Sequence, residues 1–302
     1  MVWRSVMISQ PARLKRENTA LLIEQKEIAS VPFEDISVIV LNHREITLTH
    51  PVLSSCAEYG IGLYATGHNH QPSGVFLPFQ QHSRTTRILR LQLNLDKPTG
   101  KRAWAKIVQQ KIENQALCMQ CLGVEGDDRL VSYAKRMKSG DPENLEAQAS
   151  AYYFPQIFGR SFHRSQANWV NAALDYGYAV MRGVCARALV AHGLLPSLGL
   201  FHSNEQNAFN LADDLIEPYR PLVDLHVASY FRLQETAELT PSDKAGLVAL
   251  LHVDMQMPRG VMSVLSSAEQ AAESLVRIYE GGANAVLELP QLMSLKTHKL
   301  EA

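Results

Sequence analysis

The chain has 302 residues, 46% of them hydrophobic and 20% charged, with 29 Lys and Arg against 30 Asp and Glu. This composition is typical of a core-forming globular protein and excludes disordered and fibrous classes. No stretch approaches the about 18 consecutive apolar residues of a membrane span, and the first residues do not resemble a secretory signal. Four cysteines in a chain of this length favour a reducing, cytoplasmic compartment. We therefore expect neither a membrane association nor a disulfide framework.

The first quarter of the chain predicts a small β domain. Short runs rich in β-forming residues are expected to be strands at Trp3–Ile8, Arg13–Glu17, Ala20–Glu24, Ile36–Leu41, Ile46–Leu48, Ile61–Ala65 and Gly74–Phe76. Asn18 and Thr19 suit a hairpin turn between the second and third runs. A short helix is expected over Pro51–Tyr59, because proline is common in the first turn of a helix and glycine, here Gly60, is common just after its end. We predict a β-sandwich-like domain over residues 1–78.

After Pro78, apolar residues recur every three or four positions, which predicts helices. The expected helices are Arg84–Leu95, Gly100–Cys121, Asp127–Met137, Asp141–Phe158, Gln166–His192, Glu205–Phe231, Pro241–His252 and Ser267–Gly281. The stretch Trp169–Val190 is apolar almost all round and should be the central buried helix. The predicted class is α+β: the β domain, a linker over 79–83, and a larger all-α domain over 84–302.

Charge is unevenly distributed along this second part. Residues 81–111 contain eight Lys and Arg against Asp96 alone, whereas residues 205–254 contain nine acids against three basic residues. A basic segment that follows a polyanion, together with a carboxylate-rich segment, is what a metal-dependent nucleic-acid enzyme needs. Two solvated helix faces of opposite sign would have the same composition. Composition alone favours the second explanation.

Four residues stand out as candidate metal ligands. Glu146 lies on a largely apolar helical stripe and needs a partner, or an edge position near solvent, because a lone buried carboxylate is costly. His202 lies in a glycine-containing loop before a helix, where surface or capping roles are common. Asp214 and Glu217 are spaced so that their carboxylates can converge on one cation. The same spacing also fits the solvated face of an amphipathic helix.

No glycine-rich phosphate loop and no Gly-x-Ser-x-Gly motif is present, which disfavours kinases, P-loop NTPases and α/β-hydrolases. Taken in order, however, several blocks closely resemble the CRISPR-associated integrase of spacer acquisition, in its type II form. The blocks are Gly140–Ala147, Ala151–Phe154, Arg164 with Asn171–Tyr178, Gly193–Pro196, Gly199–His202 and Asn210–Asp224. The resemblance covers essentially the whole chain. Its one mild departure is Glu146-Ala147, where the family often has Glu-Gly.

The resemblance implies a site and a chemistry. The metal triad of the family corresponds to Glu146, His202 and Glu217, and Asp214 to an accessory acid near the metal. It implies Mg²⁺ or Mn²⁺ as cofactor, and a metal that polarises a phosphodiester for attack by the 3′-hydroxyl of a short DNA fragment. The resemblance makes residues 84–302 the catalytic domain. Joining both strands needs two active sites, so a homodimer paired through the β domain of residues 1–78 is expected.

The implied partners are double-stranded DNA, both as fragment ends and as the CRISPR repeat, a small second CRISPR adaptation protein, and further type II CRISPR proteins. The candidate DNA-contacting residues are Arg84, Arg87, Arg164, Arg182 and Arg220, of which the last three could instead be ion-paired with helix acids. A stand-alone nuclease acting on branched DNA and a non-catalytic DNA-bridging scaffold are the alternatives.

Overall fold

The fold is described from a computed structural model, which covers residues 4–67, 72–78, 82–230, 238–281 and 285–298. The strands are β1 Arg4–Ile8, β2 Ala12–Glu17, β3 Ala20–Glu24, β4 Ile28–Pro32, β5 Ile36–Leu41, β6 Ile46–Leu48, β7 Gly62–Thr66, β8 Pro72–Phe76, β9 Val253–Met257, β10 Gly260–Ser263 and β11 Gln291–Thr297. The α-helices are α1 His50–Glu58, α2 Thr85–Leu93, α3 Lys97–Leu122, α4 Asp127–Arg136, α5 Leu145–Phe158, α6 Trp169–Ala191, α7 Asn210–Leu215, α8 Arg220–Tyr230, α9 Pro241–Ala249 and α10 Val264–Tyr279.

The N-terminal strands form two sheets with a shared core, which confirms the β-sandwich-like prediction. One sheet has the order β1-β5-β7-β8 and the other β4-β3-β2-β6. Ile39 and Leu63 from the first sheet pack with Leu14 and Leu21 from the second, and α1 adds Val52 to the same cluster. The β2–β3 hairpin turns at Asn18, which has a left-handed φ of 52° that asparagine tolerates better than most residues. Strand β4, which the sequence analysis did not predict, lies at an edge.

The larger C-terminal part is helical, as predicted, and is built around α6. This helix is buried along nearly its whole length, and α7, α8, α9 and α10 all pack against it. It also contacts β7 and β8 of the first sheet, so one face of that sheet joins the helical core. At this junction Tyr64 lies directly against Gly183, where a Cβ atom added to the glycine would come within 2.2 Å of Tyr64 Cε1. A residue without a side chain is therefore needed at this contact.

Two features differ from the sequence prediction of an all-helical second part. The first is a sheet of order β10-β9-β11. Strand β9 alternates buried and half-buried residues, which is the period of a strand, but its short length leaves little signal. The second is that the helix expected over Glu205–Phe231 is broken into α7, a 3₁₀ turn at Glu217–Tyr219, and α8. Pro218 explains the break, because proline lacks an N–H and clashes with the preceding helical turn.

The domain boundaries stay a prediction. Residues 79–81 of the expected linker, Trp3 of the first predicted strand and Phe231 at the end of a predicted helix lie outside the described residues. Within the described ranges, the last N-terminal strand ends at Phe76 and the next helix begins at Thr85. None of the helices in these ranges combines the length and apolar character that crossing a bilayer requires.

Candidate metal and nucleic-acid site

The first candidate ligand, Glu146, lies in the first turn of α5. Its helix begins at Leu145, later than the predicted start at Asp141, because Asp141 and Asn144 both adopt left-handed backbone conformations. The Asp141 carboxylate nevertheless caps the helix, since it accepts the N–H groups of Leu145 at 2.8 Å and Glu146 at 3.0 Å. This turn fixes the backbone that carries the Glu146 side chain.

Glu146 and Glu217 converge on a single cation, the ammonium group of Lys111. Lys111 Nζ lies 2.8 Å from Glu146 Oε1 and 2.5 Å from Glu217 Oε2. Arg220 Nε donates to the other oxygen of Glu217 at 2.8 Å. Lys111 belongs to the basic segment of residues 81–111, which was expected to be exposed, whereas it is only 7% exposed. The signal that could have found it is the helical stripe Trp104, Val108, Lys111, Gln115 and Cys118, whose other members are all buried.

The electrostatics keep this cluster charged. Burial raises the pKa of Glu217, but Lys111 and Arg220 outweigh it and lower that pKa to about 2. Burial likewise lowers the pKa of Lys111, and the two glutamates outweigh it, so the net shift is upward. The Glu146 side chain is about 30% exposed, whereas the Glu217 side chain is 5% exposed. The pair is therefore open to solvent on the Glu146 side.

His202 is positioned by Asp214, which is fully buried. The Nδ1 of His202 donates to Asp214 Oδ1 at 2.7 Å, and this bond raises the pKa of the imidazole. The same carboxylate accepts the backbone N–H groups of Leu200 at 2.6 Å and Phe201 at 3.1 Å. It thereby shapes the loop that carries the histidine and leaves Nε2 of the ring available. The ring also contacts the edge of Trp104 at a centroid distance of 5.7 Å.

The acids of the block Asn210–Asp224 do not lie on a solvated helix face. Asp213, Asp214, Glu217 and Asp224 are all buried, so that alternative interpretation of the spacing is wrong. The expected convergence of Asp214 and Glu217 on one cation is also not observed, because Asp214 holds the His202 loop while Glu217 faces Lys111. The turn at Glu217–Tyr219 ends α7 between them, which removes the regular helical spacing on which that expectation depended.

Asp224 is a buried carboxyl at the end of the family-like block Asn210–Asp224, and no role was predicted for it. It accepts the hydroxyl of Tyr153 on α5 at 3.1 Å and a very short hydrogen bond from the hydroxyl of Tyr178 on α6. The guanidinium of Arg220 lies 4.6 Å from the centroid of the Tyr178 ring. Asp224 thus connects α5, which carries Glu146, to the ring of Tyr178. Arg220, which pairs with Glu217, lies against that ring.

The five candidate arginines are dispersed. Arg164 donates to Asn171 at 2.6 Å and pairs with Asp175, and Arg182 pairs with Asp213 at 2.6 Å. Arg220 pairs with Glu217, so each of these three has the helix-acid partner that the sequence left open. Arg87 is exposed and pairs with Glu280 at 2.9 Å, and Arg84 is exposed at the start of α2. Of the five, only Arg220 touches the candidate metal ligands within the described ranges.

The donor chemistry fits a hard divalent cation. Two carboxylates that already share one cation, with an imidazole held by a buried acid, are ligands suited to Mg²⁺ or Mn²⁺. Only the two carboxylates converge, however. Among the residues that the structure describes, no three His, Cys, Asp or Glu side chains lie close enough to hold a metal ion together. The assignment of Glu146, His202 and Glu217 as one metal triad therefore remains a prediction.

A cavity of about 620 Å³ opens beside His202. Its walls come from the junction of α2 and α3, including Lys97 and Lys101, and from the loop of residues 197–205. Phe201 lies on this wall with 55% of its surface exposed while its ring stacks on Trp104 at 4.4 Å between centroids. Asp96 and Glu205 also line the cavity, which therefore combines both signs of charge with an accessible aromatic ring next to the histidine.

Comparisons with known proteins identify relatives of the chain. Residues 6–246 match the family described as CRISPR associated protein Cas1. The CRISPR-associated endonuclease Cas1 of Neisseria meningitidis serogroup C (strain 8013) is 42% identical over 306 aligned residues, covering 100% of both chains. A CRISPR-associated endonuclease Cas1 of Thermus thermophilus is 29% identical, over 77% of this chain and 76% of the relative.

Solved structures show the same fold at lower identity. A CAS1 protein from Thermotoga maritima superposes with a TM-score of 0.73 at 17% identity, covering 98% of this chain and 100% of the other. A casposase bound to integration product gives a TM-score of 0.75 at 16% identity, covering 99% and 96% of the two chains. The family match spans most of the chain, and the Neisseria relative is similar from end to end. The chain therefore belongs to the Cas1 family of CRISPR-associated proteins.

Proposed function

We propose that this Cas1-family chain is a divalent-metal-dependent DNA integrase and endonuclease of CRISPR adaptation. It joins the 3′-hydroxyl ends of short foreign DNA fragments to the CRISPR repeat by transesterification, with hydrolysis as the corresponding reaction of water. The observation that carries the proposal is the convergence of Glu146 and Glu217, from separate helical segments, on one cation position. The Neisseria relative, 42% identical over its whole length, carries the name endonuclease.

Glu146, Glu217 and His202 would hold Mg²⁺ or Mn²⁺. The bound ion supplies Lewis-acid stabilisation of the charge that develops on the phosphate oxygens. Asp214 orients the imidazole by accepting from its Nδ1, and Arg220 fixes one oxygen of Glu217. No serine or tyrosine nucleophile is required, because the attacking group is the 3′-hydroxyl of the DNA.

DNA would approach over α2, the start of α3 and the cavity beside His202. Arg84 and Arg87 lie exposed on this side of the chain, and Arg164 and Arg182 would exchange their present carboxylate partners for phosphate oxygens. Structures of similar fold include a casposase bound to integration product and a Cas6-RT-Cas1–Cas2 complex. For this chain we propose double-stranded DNA and a small second adaptation protein as partners, in the bacterial cytoplasm.

The proposed homodimer would form through the β domain of residues 1–78. Two integration events, one on each strand, need two sites at a fixed separation, and a symmetric dimer supplies them. The edge strand β4, whose one partner among the described strands is β3 and which presents Ile28 at 70% exposure, supports this choice of surface. An edge of this kind favours pairing with another chain.

A joining assay tests the proposed chemistry. The purified chain is mixed with a short duplex carrying free 3′-hydroxyls, a supercoiled repeat-bearing plasmid, and Mg²⁺, Mn²⁺ or EDTA, with and without the small partner. We expect joined product only with metal and only with free 3′ ends. Glu146→Gln, His202→Ala and Glu217→Gln should abolish joining with DNA binding retained, and Asp214→Asn should reduce it about 10- to 100-fold.

Glu143→Gln is the matched control, because this carboxylate lies close to Glu146 in the chain but pairs with the exposed side chains of Arg136 and Lys138. It should join like the unaltered protein. Cutting without joining, independent of the partner, would indicate the branched-DNA nuclease instead. DNA binding with neither reaction would indicate the non-catalytic scaffold.

A further inference from the structure

Lys111 occupies the position between the two acids that the proposed function assigns to the metal. Its ammonium contacts an oxygen of each glutamate, at 2.8 and 2.5 Å. The residue is 7% exposed and lies in the middle of α3, on the stripe that faces the helical core. Because of this burial, the contact belongs to the interior and is not a surface ion pair.

The charges of the cluster balance as it stands. Glu146 and Glu217 contribute two negative charges, and Lys111 and Arg220 contribute two positive ones at contact distance. Two carboxylates brought together without a cation would repel each other, and burial strengthens that repulsion. Lys111 therefore provides the counter-charge that keeps the acids converged.

A divalent cation and this ammonium cannot share the position. Mg²⁺ requires carboxylate oxygens at about 2.0–2.1 Å, and Lys111 Nζ already lies within contact of the same two oxygens. A divalent ion added beside Lys111 and Arg220 would also give the cluster an excess of two positive charges. Binding of the metal must therefore move the ammonium away, which the flexible four-carbon stem of lysine permits.

We propose that Lys111 is the resident counter-ion of the Glu146–Glu217 pair, and that a divalent metal binds by displacing it. The inference rests on the proposed metal site. It adds that the affinity for the metal depends on the exchange of the Lys111 ammonium for the metal ion. The lysine keeps the two glutamates close together before the metal binds. Because it competes for the same oxygens, the metal binds more weakly than it would to the two glutamates without the lysine.

The test measures Mn²⁺ binding to the full-length chain by the electron paramagnetic resonance signal of free Mn²⁺. Lys111→Met removes the competing charge and keeps most of the side-chain volume, so we expect Mn²⁺ to bind about tenfold or more tightly. Lys111→Arg keeps the charge and should bind Mn²⁺ no more tightly than the unaltered protein. Glu217→Gln in the Lys111→Met background should lose the gain.

Thermal unfolding gives a second readout that needs no activity. In EDTA, Lys111→Met should melt at a lower temperature than the unaltered protein, because the acids then repel. Saturating Mn²⁺ should raise its melting temperature by more than it raises that of the unaltered protein. A Lys111→Met protein that is fully folded in Mn²⁺ but is not stabilised more than the unaltered protein would overturn the proposal.

If Lys111→Met does not fold, the unaltered chain still answers the question. Selective ¹⁵N labelling of lysine, with Lys111→Arg to assign the signal, follows the ammonium of Lys111 directly, and Mg²⁺ should change its shift and its exchange with solvent. An unchanged signal, under conditions where Mg²⁺ binds through Glu217, would overturn the displacement but leave the metal site intact. Absence of any metal binding that depends on Glu146 and Glu217 would remove both proposals.

Discussion

At the scale of single residues, Asp224 shows how burial changes the chemistry of a carboxyl. It is 1% exposed, and burial raises its pKa to about 6 although the hydroxyls of Tyr178 and Tyr153 lower it. In the unfolded chain its pKa returns to the ordinary value of about 4. The folded state therefore binds this proton more tightly, so ionisation of Asp224 destabilises the fold as pH rises from about 4 to above 6.

This difference predicts a pH-dependent effect of Asp224→Asn, which removes the titrating group at nearly constant size. Relative to the variant, the unaltered protein should gain about 1 kcal/mol of unfolding free energy when pH is lowered from 8 to 5. Urea unfolding at several pH values measures the difference between the two proteins. A difference that stays constant over this range would mean that Asp224 is not held neutral by burial.

At the scale of elements, the packing of α6 against β7 depends on a glycine, Gly183. A Cβ on Gly183 would come within 2.2 Å of Tyr64 Cε1 and 2.6 Å of Cζ. Tyr64 is itself 3% exposed, so its ring has little room to move. The close approach of a strand and a helix at this point joins the sandwich to the helical core.

Gly183→Ala should therefore destabilise the protein by about 1–3 kcal/mol, as overpacking of a well-filled core does. Gly74→Ala on β8 is the control, because its Cβ would meet only Ala65 Cβ at 3.8 Å. Adding Tyr64→Ala should make the cost of Gly183→Ala smaller, since the two changes act on one contact. Strictly additive costs in this double-mutant cycle would mean that the clash is absorbed elsewhere.

At the scale of the whole molecule, the nearly neutral total charge conceals a basic surface. Lys97 and Lys101 are exposed, line the cavity beside His202, and have no ion-pair partner among the described residues. Lys111, from the same basic segment, is buried and neutralised, and Arg87 is paired with Glu280. The charge available to DNA is therefore smaller than the count over residues 81–111 indicates.

Lys97→Gln with Lys101→Gln should weaken DNA binding and flatten its dependence on salt. If both lysines contact phosphates, the slope of log K against log salt should fall in magnitude by about 2. Fluorescence anisotropy of a labelled duplex at several salt concentrations measures this slope. Arg13→Gln on the β domain, also exposed, should leave it unchanged, and an equal effect of both variants would show that binding is not localised at the cavity.

The sequence alone was enough to predict elements whose hydrophobic pattern lies within one continuous stretch of the chain. The strand-rich start, the buried helix α6 and the helical majority of the chain follow from periodicities of two and of about 3.6 residues, which report burial on one face. The short β4 and β9 were missed because five residues contain too few periods. The break in the helix before Pro218 was missed although proline signals it locally. The family was recognisable because its motif blocks keep their order along the whole chain.

Only the tertiary structure decided which charges meet. Lys111 is 35 positions from Glu146 and much further from Glu217, and no local pattern reports a contact between distant helices. Asp214 and Glu217 are three positions apart, yet one holds the His202 loop and the other faces Lys111 and Arg220. The physical reason is that a buried charge must find a partner wherever the fold places one, and that choice depends on the packing of whole helices.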